Sequence, residues 1–306
     1  MSPEDMWSIG ELAERAGVTV KTVRFYSDRG LLPEAGRSGG GHRRYGPPAL
    51  DRLRLIRSLR TLDLPVSDVG RVLDRDDSLE DVVAGRLREV GGRLVALRWQ
   101  EASLRLLQDC TPEERAERLR LLGALSVPPD TTPLARFWRR TLPVRMPARL
   151  AAAVVDAAVP EPPEEPTPAH VLAFARLHAL VAEVPAPTVH LAGLDHRPAA
   201  LYEGLGEAYS LAAADVRDSR APHAGEALDC FVAAYATALG ARDTRAFRRR
   251  LAGLMIRGAD PLIARYWQLA AEVAARPAGP VEPNAGALHY WLCVALKTGP
   301  GLSAGR

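Results

Sequence analysis

The sequence predicts a mostly α-helical chain with one small β-hairpin near its N-terminus. Three observations carry this. Of 306 residues, 47% are hydrophobic and only 6% aromatic, and the apolar ones are mainly Ala, Leu and Val, the first two strong helix formers. Helix start and stop residues recur along the whole length. Residues 33–45 are too rich in Gly, Pro and Ser for a helix, and no clear strand follows them.

Ser8 with Glu11 three residues on is a capping box opening a short helix, with Ile9, Leu12, Ala13 and Ala16 as its buried stripe and Gly17 as its stop. Thr19 caps a second helix running to about Arg29, followed by Gly30. Two short helices joined by a glycine-containing turn form a helix-turn-helix. Spacing points Val20 and Val23 inward and leaves Lys21, Thr22, Arg24 and Tyr26 outside, with Phe25 read as core packing. Pro33 to Tyr45 reads as a hairpin wing with its tip at Gly39-Gly40-Gly41. A third helix from about Pro48 to Leu62 places Leu50, Leu53, Ile56, Leu59 and Leu62 on one face. Leu64 to Leu73 holds a turn and another short helix.

From about Ser78 to Asp109 there is no proline, and Val83, Leu87, Val90, Leu94, Leu97 and Leu104 recur by threes and fours. That spacing predicts one long helix with a narrow apolar stripe suited to a partner helix. Gly91-Gly92 is its weak point. Thr111 caps a helix with Pro112 first in it. Pro160 to Pro166 reads as an exposed acidic linker. Further helices are expected at Thr167-Pro168 to Glu183, after an Asp195 cap, at Ala227 to Leu239, at Thr244 to Arg257, at Asp260-Pro261 to Ala275, and from Asn284 to Thr298. The expected division is a DNA-binding head at 1–76, a coiled-coil dimerisation helix at 77–110 and a helical effector-binding or interaction domain at 111–306.

The net charge of +3 decides little, but residues 19–60 hold ten Lys/Arg against three acids. Such a local surplus suits nucleic acid, and arginine suits bidentate contacts to phosphate and guanine. Cys110, Cys230 and Cys293 are far apart and odd in number, which fits a reducing cytoplasm. With no signal peptide pattern and no apolar run of about 18 residues, a soluble cytoplasmic protein without a membrane partner is expected.

Ile9-Gly10-Glu11-Leu12-Ala13, Thr22-Val23-Arg24-Phe25-Tyr26, Gly30-Leu31-Leu32 and Arg43-Arg44-Tyr45 occur in this order. Together with the third, fourth and long helices, they make residues 6–110 resemble the winged helix-turn-helix of the MerR family of bacterial transcription regulators. The wing departs from the family's Gly-Tyr-Arg-x-Tyr: His42 stands where the first aromatic would be. The resemblance implies that Arg24 and Tyr26 contact phosphates, that Lys21 and Thr22 lie near base edges, and that Arg43, Arg44 and Tyr45 clamp the flanking backbone. Thr19 and His42 fall in the same DNA-facing set. It also implies a homodimer on double-stranded promoter DNA that distorts a long spacer for RNA polymerase.

Metal and redox members of the family place cysteines at both ends of the long helix. Here Ser78 stands near the start and Cys110 alone near the end, so neither a metal nor another cofactor is expected. His170 and His178, eight apart on one helix, read as satisfied histidines. Trp138, Tyr202, Tyr235, Tyr266, Trp267 and Trp291 are instead candidates to line a site for a small aromatic or cationic ligand. No zinc-protease, phosphate-loop or Gly-x-Ser-x-Gly motif occurs, and no enzyme is expected. The alternatives are an effector-independent repressor or developmental regulator, an architectural DNA protein, and an enzyme tethered by its head.

Overall fold

The computed structural model describes residues 6–74, 78–183, 197–276 and 282–298. Among these lie fourteen helices and one two-stranded sheet. Asp195 and the prolines at 185 and 187 lie outside the described residues. The chain divides into two compact units, Met1–Arg93 and Leu94–Arg306.

In the first unit, Ser8 and Glu11 form the reciprocal capping box at the start of α1 (Ile9–Ala16), and Gly17 ends it with φ of 64°. Thr19 caps α2 (Val20–Asp28) by accepting from the Thr22 amide. Strands β1 (Gly36–Arg37) and β2 (Arg43–Arg44) pair antiparallel, Gly36 opposite Arg44 and Arg37 opposite Arg43. Trp7 adds a bridge to Tyr45, its N–H donating to the Tyr45 carbonyl at 2.7 Å. Then come α3 (Pro47–Thr61) and α4 (Val66–Asp74). Leu12, Val23, Tyr45, Leu53, Ile56 and Val69 form the heart of one core. Leu62 is 61% exposed, because α3 ends one residue before it.

Three side chains of α2 differ from the spacing argument. Tyr26 is buried, whereas Val20 and Phe25 are 41% and 42% exposed. At about 100° per residue, the inward set is Val23, Tyr26 and Ser27. Val20 lies at the edge of that arc, and Phe25 lies nearly opposite it.

The long helix α5 (Leu79–Gln108) runs 30 residues through Gly91 and Gly92 without a break. Ser78 caps it, accepting from the Asp81 amide at 3.1 Å. The chain passes from one unit to the other inside this helix.

The second unit contains α6 (Pro112–Gly123), α7 (Thr132–Thr141), α8 (Ala148–Ala158), α9 (Pro168–Glu183), α10 (Pro198–Arg217), α11 (Glu226–Ala238), α12 (Arg245–Arg257), α13 (Pro261–Ala274) and α14 (Ala285–Thr298). Thr111, Thr244, Asp260 and Asn284 cap as their sequence positions suggest. Helices α7 and α8 were not read from the sequence. Helix α8 has no side-chain cap bond to mark its start; the start of α7 is marked by Pro133 and by Asp130, which accepts from the Thr132 amide at 2.8 Å, a signal the sequence reading passed over. The acidic 160–166 segment is docked rather than free: Trp99 Nε1 donates to the Pro163 carbonyl at 3.1 Å, and Arg98 meets Glu165 at 3.1 Å.

Two cores fill this unit. One gathers Trp99, Phe137, Phe174, Leu177 and Tyr266. The other gathers Leu201, Phe231, Tyr235, Leu251 and Leu292. His170 is buried, its Nδ1 accepting from the Thr167 amide while Nε2 meets the Ala275 carbonyl at 2.8 Å. His289, on α14, meets the Tyr209 hydroxyl through Nδ1 at 2.8 Å and packs edge-on to Phe231. Burial pulls its imidazole down to about 4.

Glycine sets the spacing of α13 and α14. A Cβ built on Gly286 would lie 2.1 Å from Cγ and 2.4 Å from Cβ of Trp267. Those atoms sit close to the backbone and cannot swing away. Gly286→Ala is therefore expected to cost about 2 kcal/mol through overpacking, read as a lower urea midpoint; an unchanged midpoint would refute the close approach. His289 gives a pH prediction. Unfolded, it takes a proton near 6.5; folded, only near 4. Its share of stability is thus complete above pH 6.5 and is lost as pH falls toward 4. Unfolding across that window should show a shallower acid loss for His289→Gln than for the parent chain, and parallel curves would contradict the assignment.

Candidate nucleic-acid interface

Helix α2 faces outward with a mixed cationic and apolar surface. Lys21 and Arg24 are exposed and form no ion pair with the described residues. Phe25 stands out beside them, with the Arg29 guanidinium stacked 3.7 Å from its ring centroid. A cation over an aromatic face is held there by the ring quadrupole, so Arg29 is presented in a fixed place. Thr19 and Thr22 are engaged locally, their hydroxyls 2.8 Å apart.

The wing is fastened to this helix by a polar junction. The Tyr45 hydroxyl lies 2.7 Å from Ser27 Oγ, and both residues are buried. Arg43 Nη1 donates to the same Ser27 Oγ at 2.9 Å and to Asp28, while its Nε meets Glu34 at 2.7 Å. The hydrogen bond that Arg43 donates to Asp28, with the nearby charge of Glu34, holds its guanidinium above its usual range. At the tip, the Ser38 amide donates to the His42 carbonyl at 2.8 Å, and Gly41 takes φ of 80°, a left-handed turn that suits glycine. His42 is exposed at this tip.

The structure therefore divides the sequence-derived set. Lys21 and Arg24 lie on the open face, and Arg44 is partly open, its Nη1 4.0 Å from Glu11. Tyr26 and Tyr45 are enclosed, at 8% and 0% exposure. Both fall on the inward side of their elements, and the Tyr45 hydroxyl is engaged by Ser27. Arg43 has its fork engaged by Ser27, Asp28 and Glu34 rather than facing outward. Those three partners were missed in the sequence. An inward-spaced serine and two acids within a basic run were the available signals.

Other arginines of the same run are also structural. Arg52 donates to the Leu31 carbonyl at 2.7 Å and pairs with Asp74; Arg57 reaches the Ala16 carbonyl, and Arg60 the Leu64 carbonyl. They tie α3 to its neighbours.

The aromatic side chains expected to line a ligand site fall into two places. Trp138, Tyr266 and Trp267 pack on one another, with Trp138 edge-on to Tyr266 at 5.1 Å and 5.2 Å from Trp267. The Tyr266 hydroxyl donates to the Ala158 carbonyl at 2.9 Å. Tyr235 and Trp291 lie in the other core, where Trp291 Nε1 donates to the Arg220 carbonyl at 2.9 Å. Tyr202 packs against both cores. Among the described residues, no group of three or more His, Cys, Asp or Glu is placed to hold a metal ion, and no helix is long and apolar enough to cross a membrane.

Comparison with known proteins places similarity at this end of the chain. The family profile described as MerR HTH family regulatory protein matches residues 7–76. A nodulation protein NolA of Bradyrhizobium is 39% identical over 84 residues, covering 28% of this chain and 35% of the relative; the match thus spans about a third of that relative's length. A mercuric resistance operon regulatory protein of Bacillus cereus is 30% identical over 114 residues, covering 35% of this chain and 86% of the relative. A lead(II)-bound transcription regulator of Ralstonia metallidurans is 34% identical, covering 35% of this chain and 93% of that one, with a TM-score of 0.31.

The junction yields a prediction. Arg43→Ala should weaken duplex binding by displacing the wing while leaving the slope of log K against log salt unchanged. A slope shallower by about 0.9 would mean that the Arg43 fork reaches a phosphate instead. Tyr45→Phe, which removes one of the two bonds at Ser27 Oγ and leaves the one from Arg43, should lower unfolding stability by about 1 kcal/mol.

Proposed function

The chain belongs to the MerR HTH family of regulatory proteins, and from that premise we propose that it is a homodimeric regulator that grips promoter DNA with two winged heads and distorts the spacer between them. The observation carrying this reading is the pairing of an open cationic α2 face, Lys21 and Arg24, with a wing fastened beside it. Arg24 serves a phosphate and Lys21 and Thr22 stand at base edges, with Arg44 and the His42 tip on the flanking backbone.

The dimer reading is supported by α5. Leu87, Val90, Leu94, Leu97 and Leu104 are between 46% and 67% exposed along it, while Trp99, Ala102 and Leu106 turn into a core. Apolar side chains at heptad-like spacing and open to water gain by covering one another. In this reading residues 1–76 are the head, 77–110 the dimerisation helix and 111–306 the effector or interaction region. With about 10–10.5 base pairs per turn, one surplus base pair misaligns two promoter elements by roughly 35°. Twisting and bending the centre restores them to RNA polymerase at an elastic cost of about 1–6 kcal/mol. The place of action is the cytoplasm, where promoter DNA lies.

The ligand side of the proposal is a small organic molecule taken by the helical region. A second reading is favoured by the packing of Trp138, Tyr266 and Trp267 against one another: the region is an interaction domain and regulation is effector-independent. Tryptophan fluorescence across a library of aromatic and cationic compounds separates the two.

Two measurements test the regulator. Leu94→Glu with Leu97→Glu should sediment as a monomer and lose at least tenfold in operator affinity; a persistent dimer would remove the role given to α5. Arg24→Ala should weaken binding and reduce the salt slope by about 0.9, and an unchanged slope would exclude its phosphate contact.

A further inference from the structure

The helical region carries a basic surface that the reading above does not use. Residues 242–257 hold six arginines against one aspartate. Arg248 accounts for that aspartate and one more, meeting Asp243 at 2.6 Å and Asp229 at 2.7 Å. Arg242, Arg245, Arg249 and Arg250 are exposed, and none of the four forms an ion pair with the described residues.

Their placement is unfavourable for the isolated molecule. Arg245 is the first residue of α12, and that helix has no acid in its first turn. The Arg245 cation faces the positive end of the helix dipole, and the neighbouring arginines repel one another. The buried side of the helix, Phe247, Leu251 and Met255, would pack equally well under an uncharged outer face. Arg242, Thr244, Phe247 and Arg250 border an open concavity of about 370 Å³, with the Arg250 guanidinium 5.5 Å from the Phe247 ring centroid. Planar, weakly hydrated guanidinium groups at several heights along one helix fit a repeating array of phosphates better than a single small anion.

We propose that the outer face of α12 is a second duplex-binding surface, one that holds backbone phosphates without reading bases. This goes beyond the head-borne recognition of the promoter, and it rests only on the chain working on duplex DNA. Its effect is to lengthen the stretch of duplex that the regulator neutralises and to raise its sequence-independent affinity.

The test uses the full chain and a random-sequence duplex across a potassium chloride series. Changing Arg242, Arg245, Arg249 and Arg250 together to Gln should make the slope of log K shallower by about 0.9 for each phosphate that α12 no longer neutralises, while the same four as Lys keep most of it. Circular dichroism should show both variants folded. The boundaries of the promoter footprint made by the head should remain. An unchanged slope for the Gln variant overturns the proposal while leaving the regulator reading intact; a parent chain that binds no duplex sinks both. An equal drop from an equal charge change at exposed Arg136, Arg139, Arg145 and Arg149 would also overturn it, since bulk charge would then be responsible. If the Gln variant ceased to bind polyglutamate while its salt slope on duplex matched that of the parent chain, the partner would be an acidic protein and the DNA assignment would fall.

Discussion

One buried polar junction sets the geometry of the DNA-facing head: the Tyr45 hydroxyl against Ser27, with the Arg43 fork closing over both. A hairpin of two residues per strand cannot hold itself in water. It persists here because its last residue is sunk in the core, its backbone is bridged by Trp7, and its arginine is tied to α2. Buried hydroxyls without partners would be costly, so the junction is effective only when complete. Recognition helix and wing consequently behave as one piece.

The same logic explains the arginines. A count of charge along residues 19–60 suggests a broad basic footprint, but much of it is internal cross-bracing. Arg57 reaches the Ala16 carbonyl at the end of α1, where unpaired acceptors are otherwise left, and Arg52 and Arg60 reach the loop carbonyls of Leu31 and Leu64. What remains open on α2 is narrow, Lys21 and Arg24 with Arg29 held on Phe25. One cation held on an aromatic ring, with two open ones beside a fastened wing, makes a more local surface than a diffuse positive field would.

Much of the head was legible in the sequence because its signals are local. Ser8 with Glu11, Thr19, Gly17 and the Gly39 to Gly41 tip each act within a few residues. The inward and outward faces of α2 were less legible. Nine residues give barely two and a half turns, and a tyrosine can serve either side. Helix α8 escaped because it begins without a side-chain cap bond, whereas α7 opens on Asp130 and Pro133, a readable start that was passed over. The aromatic residues of the helical region could be named but not placed. Whether a tryptophan lines a cavity or fills a core depends on partners far along the chain, as Trp138 on α7 and Trp267 on α13 illustrate. The partnership of Arg43 with Ser27, Asp28 and Glu34 was hidden for a related reason: it is made across 16 residues or fewer, but only once the hairpin has folded back.

Helix α5 passes through Gly91 and Gly92 with open space around both, just before the chain leaves its first compact unit at residue 93. Glycine in a helix interior forfeits roughly 1 kcal/mol relative to alanine, so stiffness along this rod is uneven. Thermal flexing gathers at its softest link, much as a shaft with a thinned collar yields there first.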